Sequence, residues 1–387
     1  MPSILYRYLA KEILAPFLLG FVVFTSVLLM GRMLKLAEMV VSNGVPITDI
    51  LLLVYYLLPY FAVITIPMSL LLAVMLAFSR LSADSEIVAI KASGVSIYRM
   101  LPPILTIAVL AYLLSAFLTV YALPKGNIAF KELLYHIVQG RLNLNLKEQV
   151  FNDAVPGMVI YVDRNSSDGK LTGIIIQDQR DLKDISTIFA SSGTVLSDEK
   201  SKQIHLWLTD GSIHQSRPKD IYRRLDFQQY VLNIDLSRTI KAIEKNELDM
   251  TLAEIHENLK KEDLEKKIRI DMKLEIQRRF ALPFACFIFA IVAMPLGIQN
   301  RRSGKAAGFT LSIVAIIVYY IFQSIGKALG EKELLQPALA IWLPNIIFLA
   351  GGIILFRQAA REQPLVLVER LNSLLAALLK LFRKGTD

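Results

Sequence analysis

The chain has 387 residues, 54% of them hydrophobic, with a mean hydropathy of +0.47 and a formal net charge of +9. A soluble core would distribute its apolar residues at a period of 2 or 3.6, whereas here they stand in long blocks between strongly polar stretches, and blocks of roughly 20 residues cross a bilayer as helices. This is the composition of an integral membrane protein; its positive charge is what basic loops on one side of a membrane produce and calls for no nucleic acid, and its single cysteine, Cys286, excludes an intrachain disulfide or a cysteine metal cluster.

Six spans are predicted in chain order, near residues 13–33, 50–78, 101–123, 281–298, 306–325 and 337–356. Pro59 and Pro67 in the second predict a tilt or a kink. The opening RYLAKE is basic, but no small-residue cleavage site follows the first apolar run, which therefore reads as a retained span. With this threading Arg7, Lys11, Arg80, Lys91, Arg99, Arg301, Arg302, Lys305, Arg357 and Arg361 fall on one side. The positive-inside rule makes that side cytoplasmic, with both termini, and puts residues 124–280 outside.

The outer segment, 124–250, alternates in period 2 through LTGIIIQ (171–177), QIHLWLT (203–209) and YVLNIDL (230–236). SSDGK (166–170), SDEKSK (197–202) and TDGS (209–212) carry the Asp-Gly or polar signals of hairpins. An antiparallel β domain, a sandwich or open jellyroll-like sheet, is expected there. MTLAEI (250–255) then starts a helical connector over 251–280, with Thr251 as N-cap and Glu254 completing a capping box. The tail, 358–387, places Leu367, Leu371, Leu374, Leu378 and Phe382 on one face and reads as an amphipathic helix along the inner leaflet. The expected fold is thus an α-helical membrane protein with six transmembrane helices and an inserted antiparallel β domain.

Catalytic patterns are missing. SGKAA (303–307) and IGKAL (325–329) lack the Ser or Thr that follows the lysine of a phosphate loop. His136, His205, His214 and His256 show no zinc-protease spacing, there is no G-x-S-x-G elbow, and the spans hold almost no ionisable residue at mid-depth. The chain reads as a non-catalytic subunit.

The loop between the second and third spans, SRLSADSEIVAIKASGVSIYR (79–99), encodes a short helix near 82–94 that Ser82 or Asp84 can cap and Gly94 can end. Ile87 and Ile90 form a small apolar face beside Glu86. Such a helix either docks on a soluble partner or merely links two spans.

RYLAKEILAPF at the start, SADSEIVAIKASGVS in this loop, MTLAEI, and RRFALPFACFIFAIVAMPLGIQNRRSGKAAGF (278–309) resemble the LptF/LptG permeases of the bacterial lipopolysaccharide exporter over essentially the whole chain. GRMLKLAEMVVSNGVP (31–46) is more similar to the LptF member. The resemblance implies a bacterial inner-membrane subunit that pairs with a second, LptG-like permease. A separate LptB-like cytoplasmic ATPase dimer, which binds the ATP and Mg, drives both, so no cofactor is expected in this chain. Lipopolysaccharide passes from the membrane into the β domain and on to LptC/LptA-like bridge proteins. On this reading the 82–94 helix is the coupling helix, with Asp84 and Glu86 meeting basic groups of the ATPase and Ile87 and Ile90 filling its groove.

Arg32 and Lys35 stand at the outer end of the first span, the unexpected side for cations, and share a helix face. In the family, basic residues matching these two positions contact lipid A phosphates by charge-assisted hydrogen bonds; snorkelling to ordinary headgroups is the plainer reading. Arg278 and Arg279, at the outer start of the fourth span, and Lys327, near the outer end of the fifth, are further candidates, with helix-end anchoring as the alternative. Two other functions are weighed. One is a mechanotransmission subunit of another transporter, which generally places a large outer domain after the first span of a four-span chain, as this chain does not. The other is a membrane-anchored scaffold whose β domain binds a partner protein without moving lipid; it leaves the 82–94 helix unexplained.

Overall fold

The apolar blocks become helices because a helix satisfies its backbone hydrogen bonds internally where no water is available. The computed structural model describes residues 3–43, 45–144, 148–155, 157–166, 170–179, 185–198, 203–217, 221–235, 246–261, 264–299 and 304–363. Its helices are α1 (Ser3–Asn43), α2 (Ile47–Ala83), α3 (Glu86–Ala92), α4 (Leu101–Phe117), α5 (Leu123–Leu144), α6 (Leu252–Leu259), α7 (Lys266–Gln299), α8 (Gly304–Glu331) and α9 (Pro337–Ala360). A 3-10 turn (Ile97–Met100) leads into α4, and a π turn (Leu118–Ala122) joins α4 to α5. Six of the described helical stretches are long and apolar enough to cross a membrane: Ile4–Met33, Ile47–Ala83, Ile97–Leu134, Lys266–Ile298, Gly308–Glu331 and Pro337–Ala360. Each contains or overlaps one of the six blocks read from sequence, in the same order.

The chain divides into two compact units, Met1–Asn127 with Asn246–Asp387, and Ile128–Lys245. In the first, 83% of the apolar stretch of α2 and of α7 is buried, against 17% in Ile4–Met33 and 28% in α8. These two helices are the centre of the bundle, and the others keep apolar faces for lipid or another protein. At Gly297 a β-carbon would lie 2.8 Å from Phe78 Cβ and 2.9 Å from the Met75 carbonyl oxygen, so only glycine permits the close approach of α7 to α2. Away from that contact a buried polar knot fastens α7, α8 and α9. Tyr319 Oη donates to Asn345 Oδ1 at 2.7 Å, Asn345 Nδ2 donates to the Ala281 carbonyl at 2.9 Å, and Gln323 Nε2 donates to Tyr319 Oη at 3.0 Å. Polar groups persist in an apolar interior when they satisfy one another in this way.

The second unit carries six strands, β1 (Phe151–Val155), β2 (Met158–Asn165), β3 (Lys170–Asp178), β4 (Ile185–Asp198), β5 (Gln203–Arg217) and β6 (Ile221–Asp235). Each pairs antiparallel with its sequence neighbours in the order β1-β2-β3-β4-β5-β6. Ile160, Val162, Ile174, Ile176, Ile188, Leu206, Leu208 and Leu232 are buried on one face. The helical membrane bundle with an inserted antiparallel β sheet is therefore the expected fold class.

Local details differ from the sequence reading. The segment after residue 123 stays helical to Leu144 before the first strand begins at Phe151. The charged connector is two pieces: α6 stands apart, while 266–280 continues into the apolar part of α7 as one helix. TDGS (209–212) is no hairpin and lies inside β5. There Asp210 has φ 51°, in the row that also holds Gly173 at φ 62° in β3, and Ser191 Oγ donates to the Asp210 carbonyl at 3.0 Å. Strand register is unchanged across this row, yet the alternation of side chains inverts, so that Leu171 and Ile174, three apart, both face the core, as do Leu208 and Ile213. The left-handed preference of Asp-Gly that makes hairpins here reverses the pleat of a continuing strand. The amphipathic tail from residue 364 onward lies outside the described residues.

Candidate functional site

One end of the helical bundle gathers the residues around α3. α2 ends at Ala83, and Ser85, at φ 60°, turns the chain sharply before α3 begins. Gly94, at φ 84°, supplies the left-handed residue after α3 that only glycine adopts without strain. Neither Ser82 nor Asp84 caps α3. Ser82 belongs to α2 and its Oγ donates to the Ile298 carbonyl of α7, while Asp84 lies 3.6 Å from Arg80 Nε, one turn back.

Ile87 is 1% exposed and Ile90 is half-buried, both packed in the core of the bundle. Ile87 thus has no surface to offer a partner, and the expectation that it fills a groove on another protein is corrected: it fills its own. The face that α3 presents outward is Ser85, Val88, Ala89 and Ala92, all exposed and spaced i, i+3, i+4, i+7. Glu86 sits at the edge of this face, half-buried, and accepts a 2.6 Å hydrogen bond from Tyr8 Oη of α1. Arg80 Nη1 is 2.8 Å from Glu12 Oε2, also on α1, and Lys91 Nζ is 3.0 Å from Glu362 Oε1 just past α9. α3 is therefore a small platform that follows α2 and is tied by its own side chains to α1 and to the residue just past α9, while the end of α2 ahead of it is tied to α7. Its sequence EIVAIKA is apolar almost all round, which is why the pattern alone selected the wrong face; the ties to Tyr8 and Glu362 span 78 and 271 residues and leave no local signal.

The opposite end of the bundle holds the remaining candidates, and it does not treat them alike. Arg32 is exposed on α1. Lys35 is within the same helix, but its side chain lies outside the described residues. Arg278 is half-buried, with Nη1 3.5 Å from Glu275 Oε2. Arg279 is 0% exposed: its Nε donates to Glu275 Oε1 at 3.2 Å, and Nη2 donates to the carbonyls of Glu247 and Met250 at 3.0 and 2.7 Å. Arg279 is thus an internal tie between α7 and the segment ahead of α6, not a surface cation. That segment is ordered in turn by the expected capping box, in which Thr251 N–H donates to Glu254 Oε2 at 2.7 Å and Glu254 N–H donates to Thr251 Oγ1 at 3.3 Å. Lys327 is half-exposed and pairs with Glu331 at 3.3 Å on its own helix. No hydrogen bond or ion pair joins Arg32, Arg278 and Lys327 to one another among the described residues.

A six-span bundle with an α3 platform at one end, cations at the other and a β sheet inserted between its halves is the arrangement that the sequence resemblance implied. Residues 7–358 match the family described as lipopolysaccharide export system permease LptF/LptG. The chain belongs to this family. It is 22% identical over 359 residues to the lipopolysaccharide export system permease protein LptF of Escherichia coli K12, covering 91% of this chain and 94% of that one, and equally similar to the LptF of Shigella flexneri. An uncharacterised protein of Rickettsia prowazekii, RP871, is 28% identical over 193 residues, a match that spans about half of each chain: 50% of this one and 53% of that one. This permease is accordingly a multi-pass membrane component of a lipopolysaccharide export system, and its full-length relatives carry the name LptF rather than LptG.

Proposed function

We propose that this chain is the LptF-type half of an ATP-driven exporter that lifts lipopolysaccharide out of the inner membrane. The end bearing α3 faces the cytoplasm, because the short basic loops gather there. An LptB-like ATPase dimer, which holds the ATP and Mg, docks on the exposed Val88, Ala89 and Ala92 of α3, with Asp84 and Glu86 facing its basic groups. At the periplasmic end Arg32 and Lys35, joined by the half-buried Arg278, receive the lipid phosphates in a cavity completed by a second, LptG-like permease; Lys327, held by Glu331, stands farther from this role. The β sheet then passes the lipid to LptC/LptA-like bridge proteins. Arg279 keeps a structural part only.

The observation that supports this reading most is the α3 platform, whose own side chains tie it to α1 and to the residue just past α9 yet leave Val88, Ala89 and Ala92 as an exposed apolar stripe. A linker between two spans needs neither feature. The test is native mass spectrometry of the detergent-purified complex, co-expressed with its genomic neighbours. The wild type is expected to carry an ATPase dimer, a second permease and a lipid A species. Arg32→Glu with Lys35→Glu is expected to lose the lipid and keep the proteins. If the lipid remains, these two residues are helix anchors; if no ATPase accompanies the wild type, a membrane-anchored scaffold is the better reading.

A further inference from the structure

α1 is one continuous helix from Ser3 to Asn43, and it carries Arg32 at one end of the bundle and Tyr8 at the other. The 24 residues between them correspond to about 36 Å of helix. Tyr8 Oη donates to Glu86 Oε2 of α3 at 2.6 Å, in a half-buried setting where Tyr8 packs against the main core beside the fully buried Leu9. One turn further on, Glu12 takes Arg80 Nη1 at 2.8 Å, so two successive turns of α1 are fastened to the ends of α2 and α3. The Tyr8 bond occupies only one oxygen of Glu86, and a carboxylate has lone pairs for further donors. A cation brought by a docking partner can therefore engage Glu86 while Tyr8 still holds it.

Resting on the reading of α3 as the ATPase platform, we propose that Tyr8 is a positioning residue that links this platform to the first span: movement of α3 on ATP hydrolysis is delivered through the Glu86–Tyr8 hydrogen bond to α1, and along α1 to the lipid-phosphate end that bears Arg32. The bond ties α3 to α1 at 2.6 Å, it is charge-assisted, and its Glu86 sits at the edge of the exposed face of α3. Tyr6, two residues earlier, bonds Thr106 of α4 instead, at 2.6 Å. It is a tyrosine on the same helix with no hydrogen bond to α3 among the described residues, and so serves as the internal control.

The complex of this chain with its co-expressed permease and ATPase is reconstituted in proteoliposomes, and lipopolysaccharide delivered to an acceptor is measured per ATP hydrolysed. Tyr8→Phe is expected to lower that ratio by about tenfold or more, the equivalent of one charge-assisted hydrogen bond, with the ATPase still bound. Tyr6→Phe is expected to leave it at the wild-type value. Tyr8→Phe combined with Glu86→Gln is expected to be no worse than Glu86→Gln alone, since both remove one link. A wild-type ratio in Tyr8→Phe, an equal loss in Tyr6→Phe, or additive losses in the double variant would overturn the link. Val88→Asp separates this from the reading beneath it. If that variant sheds the ATPase while Tyr8→Phe is neutral, the platform stands and the Tyr8 link fails; if it retains the ATPase, the platform reading fails with it.

Discussion

Arg278 and Arg279 are neighbours in sequence with opposite surroundings. Arg279 is fully buried, and removing it leaves the Glu275 carboxylate, 6% exposed, without its closest partner and two backbone carbonyls without a donor. Breaking one side of a buried pair costs about 3–5 kcal/mol. Arg279→Met is therefore expected to lower the thermal unfolding midpoint of the purified protein sharply, and Arg279→Lys to rescue it poorly, because one ammonium cannot replace the forked contacts of a guanidinium. Arg278→Ala, which breaks a weaker and partly solvated contact, is expected to cost less than about 1 kcal/mol. Equal shifts for both arginines would contradict the assignment. The sequence could not separate them, since a helix start with two adjacent cations looks the same whichever one turns inward. Arg32 stands out in the sequence as a cation at the unexpected end of an apolar run, and the structure leaves it exposed on α1.

At the scale of elements, α3 illustrates where a short pattern misleads. With Ile87, Val88, Ala89 and Ile90 in one run, apolar spacing allows either face to be the core, and only packing decides. Ile87→Ala removes a core side chain and is expected to destabilise the protein by about 2–5 kcal/mol, seen as a lower unfolding midpoint. Val88→Asp is expected to leave the midpoint in place and abolish co-purification of the ATPase. The reverse pair of results would mean that the helix docks through Ile87 after all. β5 teaches a related lesson. Asp-Gly signals a left-handed residue, which the structure has at Asp210, but the signal does not say whether the chain turns back or continues. Gly211 itself has no alternative, because a β-carbon there would collide with the Phe189 carbonyl and with the Phe227 ring. Gly211→Val is expected to unfold the sheet, reported by proteolysis within residues 128–245 while the helical bundle stays intact. By contrast the Thr251–Glu254 capping box was fully readable, since both partners lie within one turn and depend on nothing distant.

At the scale of the whole molecule, the six spans were plain from sequence because membrane helices are specified by block length and apolarity. Which spans are central was not, because α2 and α7 are no more apolar than α1 and are set apart by small-residue contacts such as Gly297. The apolar faces left open on α1, α8 and α9 suit lipid or another membrane protein, and Arg32 and the Tyr8 tie to α3 lie toward opposite ends of the one continuous helix α1. The central claim is that these ends are coupled to move lipopolysaccharide. The most direct measurement is ATP-dependent transfer of lipopolysaccharide from proteoliposomes holding the full complex to a soluble bridge protein. The account predicts transfer that requires ATP and is lost in Arg32→Glu with Lys35→Glu. A complex that assembles and hydrolyses ATP while the lipid stays in the vesicles would contradict it.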